Sequence, residues 1–461
     1  MAVASHDLPR ELGLTDLALT QILFIVGLPW VGVAAKQGPA HIFYWVIAAA
    51  LFYVPSAVVV IHLNRLMPLE GGLYQWAKLG FNELTGFLVA WNLWLFAILN
   101  TSDAGIQATQ YASYVLGPRF DWMTGSTVTI ALVSALLFTG LVVLAIRGLS
   151  VGKWVHKAGG ALMLGTFAML LAAPWLSVAT GAISAFHPLA SAAPVVSLMS
   201  LNLLGKMGFG AFGGFEYVAI HAGECRNPVK TIAWSVAVAA PVIVVMFILG
   251  TSSVLALVPF DQIDLIAPIP QVLNLAYGGP GASVPIAAVT ICVLLAVRLA
   301  QASVMFTGNT RLPMVAGWDG LLPPWFSRLH PRYRTPVNSI VFIGVMTFAF
   351  SLAGLVGVGR QEAFQLLWNA SAVFYALTYL VMFAIPIAGL RRGPTSPLWV
   401  RVCACSGFLM TLLFVVLAIV PIVEVESRVL FALKLSGLIV MTNVAGAAIF
   451  ISRARRYRSS D

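Results

Sequence analysis

LLGKMGFGAFGGFEYVAIHAGE, residues 203–224, decides how the chain is read. The apolar run around it is long enough to cross a bilayer, which takes about 20 residues. Yet it carries Gly205, Gly208, Gly210, Gly213 and Gly214, with Glu216 directly after the densest cluster. Clustered glycines weaken helical order because each adds backbone freedom. Backbone groups freed at membrane depth are tolerated only where they are buried in protein or line a cavity. The stretch therefore reads as a helix broken in mid-membrane. Close helix packing through small residues is the alternative. It accounts for Gly205 and Gly208 but not for a carboxyl beside the break.

A second segment is damaged in the same way. LFIVGLPWVGVAAKQGP, residues 23–39, has Gly27, Pro29 and Gly32 in mid-span. Pro29 removes a backbone donor where a helix needs one. At two such breaks, half-helix N-termini can face an anionic group and exposed carbonyls can hold cations.

The rest of the chain agrees with a membrane reading. Of 461 residues, 60% are hydrophobic and 9% charged, and the mean hydropathy is +0.94. A soluble protein is roughly a quarter charged, so a disordered chain, a coiled coil and a soluble enzyme are excluded. Candidate spans fall at 17–35, 42–62, 84–106, 128–146, 158–179, 196–219, 232–257, 284–306, 339–358, 363–390, 402–423 and 429–451. The fold class is thus an all-α polytopic membrane protein of about twelve helices, and residues 1–461 form one integral unit. The net charge of +10 does not point to nucleic acid, because the basic residues share no patch with aromatics. With the N-terminus inside, nineteen of the 26 Lys and Arg fall in cytoplasmic segments and five in external ones. The positive-inside rule then puts both termini in the cytoplasm. The polar N-terminus lacks signal-peptide order. Cys403 and Cys405 form an isolated C-x-C with no partner pair, so no metal site is expected. No cofactor is expected either.

The breaks lie in spans one and six, which suits two five-helix repeats of opposite topology. The first covers residues 17–179 and the second 196–390. Residues 402–451 add two helices, and 452–461 form a cytoplasmic basic tail.

Four motifs resemble the amino acid–polyamine–organocation transporter family. Gly213-Gly214-Phe215-Glu216 followed by Ala222-Gly223-Glu224-Cys225-Arg226-Asn227-Pro228 is the most specific. Met67-Pro68-Leu69-Glu70-Gly71-Gly72-Leu73-Tyr74 resembles a P-x-x-G-G-x-Y motif. Thr310-Arg311-Leu312-Pro313, Asp319-Gly320-Leu321-Leu322-Pro323, His330-Pro331 and Thr335-Pro336 resemble a third. Val26-Gly27 with Gly38-Pro39 fits a V-G…GP frame. The resemblance covers most of the chain through span ten. It implies the five-plus-five inverted repeat with broken helices 1 and 6, and a permease of the cell membrane. That permease moves amino acids or related amines by alternating access, as a proton-coupled symporter or by exchange. It also implies that the broken helices hold the substrate. The carboxylate side falls at Gly27, Leu28 and Pro29, and the amino-group side at the Ile25 carbonyl with Phe212, Gly213 and Gly214. Ser371 falls where relatives place a substrate-contacting serine. Two departures stand out. Pro29 offers no amide hydrogen where relatives have one, and Met163 stands where some relatives carry a lysine. A gating tryptophan of some relatives falls at Gly210, with Phe209 or Phe212 as substitutes.

Ionisable side chains in mid-span are costly and need partners or a role. Four stand out: Asp103, Lys206, Glu216 and Arg298. Glu216 either carries the coupling proton or ties span one to span six. Asp103 either binds a substrate ammonium or a proton, or lies solvated at the outer end of its span. Lys206 either snorkels to the interface or pairs with Asp103. Arg298 stays charged at any working pH and needs a carboxylate, from the substrate or from Glu216. Trp45, Trp94, Trp122 and Trp175 read as interface belts. A polyamine transporter using Asp103 and Glu216 as cation sites is one alternative, and a transporter-fold sensor without uptake is another. A channel would need a continuous polar pore. An enzyme would need a catalytic constellation, and His62, His156 and His221 do not form one. The expected partners are a small amino acid or amine, protons and membrane lipid, with no nucleic acid and the oligomeric state open.

Overall fold

Lipid offers a backbone no hydrogen-bond partners, so a spanning chain must satisfy its own. The described membrane segments are accordingly helical apart from two short breaks. A computed structural model describes residues 12–69, 72–225, 227–278, 286–309, 322–355, 360–388, 395–422 and 425–458. Glu70, Gly71, Arg226 and residues 310–321 of the sequence motifs lie outside the described residues.

The helices, in chain order, are α1 (Leu14–Ile25), α2 (Trp30–Ala35), α3 (Gly38–Leu66), α4 (Leu73–Gly80), α5 (Glu83–Leu116), α6 (Thr127–Arg147) and α7 (Leu149–Ala179). Then come α8 (Leu198–Gly205), α9 (Pro228–Leu257), α10 (Pro268–Tyr277), α11 (Ile286–Asn309), α12 (Val337–Gly354), α13 (Arg360–Ala388), α14 (Leu398–Leu417) and α15 (Arg428–Arg458). Among the described residues, nine of these are long and apolar enough to cross a membrane. With α12 and the two broken segments they occupy the twelve expected spans. The protein is an all-helical, multi-pass membrane protein.

Local chemistry starts several helices. The Thr85 amide donates to the Asn82 side chain at 2.9 Å ahead of α5, and Ser197 and Ser200 cap α8 reciprocally. Asn227 caps α9, whose Pro228 stands in the first turn where a missing amide hydrogen costs nothing. α5 runs ten residues past the end expected for span three, with Asp103 as its one non-helical residue. That places Asp103 inside the protein, 1% exposed, rather than solvated at a span end.

Packing separates lipid-facing from buried surfaces. On α6, Val128, Leu132 and Leu136 project outward at four-residue spacing, as a surface bathed in acyl chains permits. α1 packs on α7 and α9, α5 on α13, and α7 on α11. Gln21 on α1 donates to Ser235 on α9 at 2.8 Å. Trp122 and Trp175 are exposed, but Trp45 is fully buried. Its indole stacks on Phe247 and donates to Thr251 Oγ1 at 3.1 Å, so it belongs to the core and not to an interface belt.

Candidate substrate site between the broken helices

The two broken segments meet at the centre of the bundle. Between α1 and α2, Val26 to Pro29 leave the helix. The Gly27 amide folds back onto the Ile25 carbonyl at 2.7 Å. Gln301 of α11 donates to the Leu23 and Val26 carbonyls, both at 2.8 Å, so a side chain supplies what the helix ladder no longer can. The Leu28 amide donates to no described group, and Pro29 has no amide hydrogen to offer.

The other break follows α8. A π-helical turn, Lys206–Ala211, leads into Gly213 and Gly214, and a 3-10 segment, Phe215–Glu224, resumes the helix. Gly214 sits at φ 145°, a conformation that L side chains rarely adopt. A Cβ there would stand 2.6 Å from Ile25. Glycine thus lets the two breaks touch.

Between them lies a cavity of about 60 Å³. Its walls come from the first break (Ile25, Gly27, Leu28, Pro29), the second (Phe209, Gly210, Gly213), α5 (Phe96, Asn100), α11 (Arg298, Gln301) and α13 (Trp368, Tyr375). Six of the nine residues expected to hold substrate line it. The other three do not. Phe212 is locked in a stack with Tyr53, ring centroids 4.3 Å apart. Gly214 lies behind, its amide donating to Tyr379 Oη at 2.7 Å. Ser371 is fully buried on α13 and off the cavity surface, where Ala372 and Tyr375 stand instead.

The four intramembrane charges are sorted by the packing. Arg298 Nη2 meets Asp103 Oδ1 at 2.7 Å and donates to the Asn100 carbonyl at 3.1 Å, while Nε donates to Gln107 Oε1 at 2.7 Å. Gln107 in turn donates to Asp103 Oδ2 at 2.9 Å. Arg298 therefore pairs with Asp103, not with Glu216, and Arg298 is one of the residues lining the cavity. Glu216 accepts hydrogen bonds from the Tyr375 and Tyr379 hydroxyls. Lys206 neither snorkels nor reaches Asp103. It is 2% exposed and donates to Asn369 Oδ1 at 2.9 Å, because the π-turn points it inward between α8 and α13.

Gly210, the position at which a gating tryptophan of some relatives falls, packs against a tryptophan from the other break. A Cβ on Gly210 would lie 2.4 Å from the Trp30 ring. Trp30 meets Trp368 edge to face at 5.3 Å and closes one end of the cavity. The sequence reading missed Gln107, Gln301, Tyr375 and Tyr379. A signal was present for some of them: Gln107 follows Asp103 by four residues and Gln301 follows Arg298 by three, so each shares a helix face with a charge already singled out.

The chain matches the family model described as amino acid permease over residues 12–450. It is 25% identical to an uncharacterised transporter of Legionella pneumophila over 84% of this chain and 83% of that protein. It is 24% identical to a branched-chain amino acid permease of Bacillus subtilis over 78% and 80%. It is 22% identical to a "probable agmatine/putrescine antiporter" of Lactococcus lactis over 84% and 82%.

Proposed function

The chain belongs to the amino acid permease family, a family of transporters and not of enzymes, and from that premise we propose that it carries zwitterionic amino acids with apolar side chains. Transport proceeds by alternating access, with residues 17–179 and 196–390 as the two repeats that rock around the central cavity. The cell membrane is its location, both termini are cytoplasmic, and Glu216 carries a coupled proton.

The observation that carries the substrate class is the Asp103–Arg298 pair, 2.7 Å apart, whose arginine lines the cavity. A diamine needs an uncompensated negative site. Asp103 cannot supply one while the Arg298 guanidinium holds it. The wall instead offers a guanidinium edge and the free Leu28 amide to a carboxylate, with Phe24, Phe96, Phe209 and Trp368 around an apolar side chain. The family relative named for branched-chain amino acids fits this reading.

The test is equilibrium binding of leucine against leucinamide, which keeps the amine and the side chain but lacks the carboxylate. One hydrogen bond to a charged group contributes about 1.5–3 kcal/mol, so the wild-type protein prefers leucine by roughly 10-fold to 150-fold. Arg298→Gln alone would strand a buried aspartate. The Asp103→Asn/Arg298→Gln double variant avoids that and should lose most of the preference. Equal binding of leucine and leucinamide by the wild type would refute the proposal.

A further inference from the structure

A second cavity of about 30 Å³ lies on the far side of the Trp30–Trp368 pair. Lys206, Gln365 and Asn369 supply its polar lining, and Phe364 and Ile266 are among its apolar walls. Two features of it are unusual. Lys206 is buried, and no carboxylate among the described residues lies within 4 Å of its ammonium. An ammonium has three donors, and Asn369 Oδ1 accepts one. Gln365 is 5% exposed, and neither its Nε2 nor its Oε1 has a hydrogen-bond partner among the described residues. Gln365 precedes Asn369 by four residues, so both lie on the face of α13 that Lys206 meets.

A buried cation without an anion is costly, and so is a buried amide without partners. One small anion between them would answer the ammonium's charge and accept from the Gln365 Nε2, the two donor-side costs. We propose that this cavity binds a small monovalent anion, either a carboxylate group or a halide such as chloride. The ammonium supplies the charge and its spare donors, and the Gln365 amide supplies a further N–H. The volume suits a single group or ion and not a whole amino acid. Pro29, Trp30 and Trp368 line both cavities, so the bound anion stands one ring away from the central site. The inference stands on this second cavity alone and does not depend on which substrate the central cavity takes.

The test uses purified full-length protein in detergent. Its thermal unfolding midpoint is followed against sodium chloride and, separately, sodium acetate, at ionic strength held constant with methanesulfonate. A ligand that binds the native state raises the midpoint once its concentration passes Kd, and the rise then continues logarithmically. A rise of this form with chloride alone supports the site with a free inorganic ion as its source. The same rise with acetate, with or without chloride, supports it with the substrate's carboxylate as a source. In either case Lys206→Met and Gln365→Leu should each raise the apparent Kd at least about tenfold, a loss of about 1.4 kcal/mol. The glutamine variant keeps the test intact if the lysine variant fails to fold. No such rise with either salt, or a rise undiminished in both variants, overturns the proposal.

Discussion

Glu216 is held by two tyrosines one turn apart on α13, and one of them, Tyr375, also forms part of the cavity wall. Tyrosine hydroxyls therefore link a residue of the cavity wall to the carboxyl, and through Tyr379 to the Gly214 amide of the second break. A proton placed on Glu216 changes the hydrogen bonds that hold this break. Glu216→Gln keeps the size and removes the proton site. The expected outcome is uptake driven by a pH gradient reduced by at least about tenfold, within the usual range of a coupling free energy. Exchange of labelled for unlabelled substrate at equal pH should stay within about twofold of wild type, since chemistry independent of the proton is untouched. Equal loss of both would mean that Glu216 only ties the helices together. The need for partners was legible in the residue itself, because a mid-span charge is too costly to leave alone. Their identity was not. Asp103 with Arg298, and Lys206 with Asn369, are separated by more than 160 positions in sequence, and only packing brings them together.

At the scale of elements, the breaks and most spans were legible and the short helices were not. Apolar runs of about 20 residues mark a span regardless of what they pack against, and glycine and proline mark a break for local steric reasons. α4 and α10 are eight and ten residues long, too short for that ruler, and they went unseen. The extension of α5 beyond residue 106 was also missed, because a polar stretch was read as the membrane boundary when it is a buried one. Phe212 and Ser371 were placed at the substrate by analogy of position, whereas Phe212 follows an unwound turn that stacks it on Tyr53 and Ser371 lies on a face of the continuous α13 away from the cavity. Gly210 gives an element-scale prediction. Its missing side chain admits the Trp30 ring, so Gly210→Ala should cost about 1–3 kcal/mol of stability and reduce substrate affinity. Gly140→Ala on α6, where a Cβ meets nothing within 4 Å, should be neutral or stabilising by up to about 1 kcal/mol. Thermal unfolding of the two variants in detergent, compared with wild type, checks the pair.

For the whole molecule, the fold is that of a multi-pass helical membrane protein of the amino acid permease family, and its charges are allocated sparingly. The central cavity is lined by Arg298, whose charge Asp103 balances, by the amides of Asn100 and Gln301, and elsewhere mainly by aromatic, aliphatic and glycine residues. This arrangement favours a substrate that is itself neutral overall. The most direct measurement is uptake into proteoliposomes of labelled leucine, with isoleucine, phenylalanine, lysine, putrescine and agmatine as unlabelled competitors. The account predicts saturable leucine uptake, accelerated by an inward proton gradient. Isoleucine and phenylalanine should inhibit it, and the two diamines should leave it unchanged at tenfold excess. Absence of leucine uptake together with saturable uptake of putrescine would contradict it.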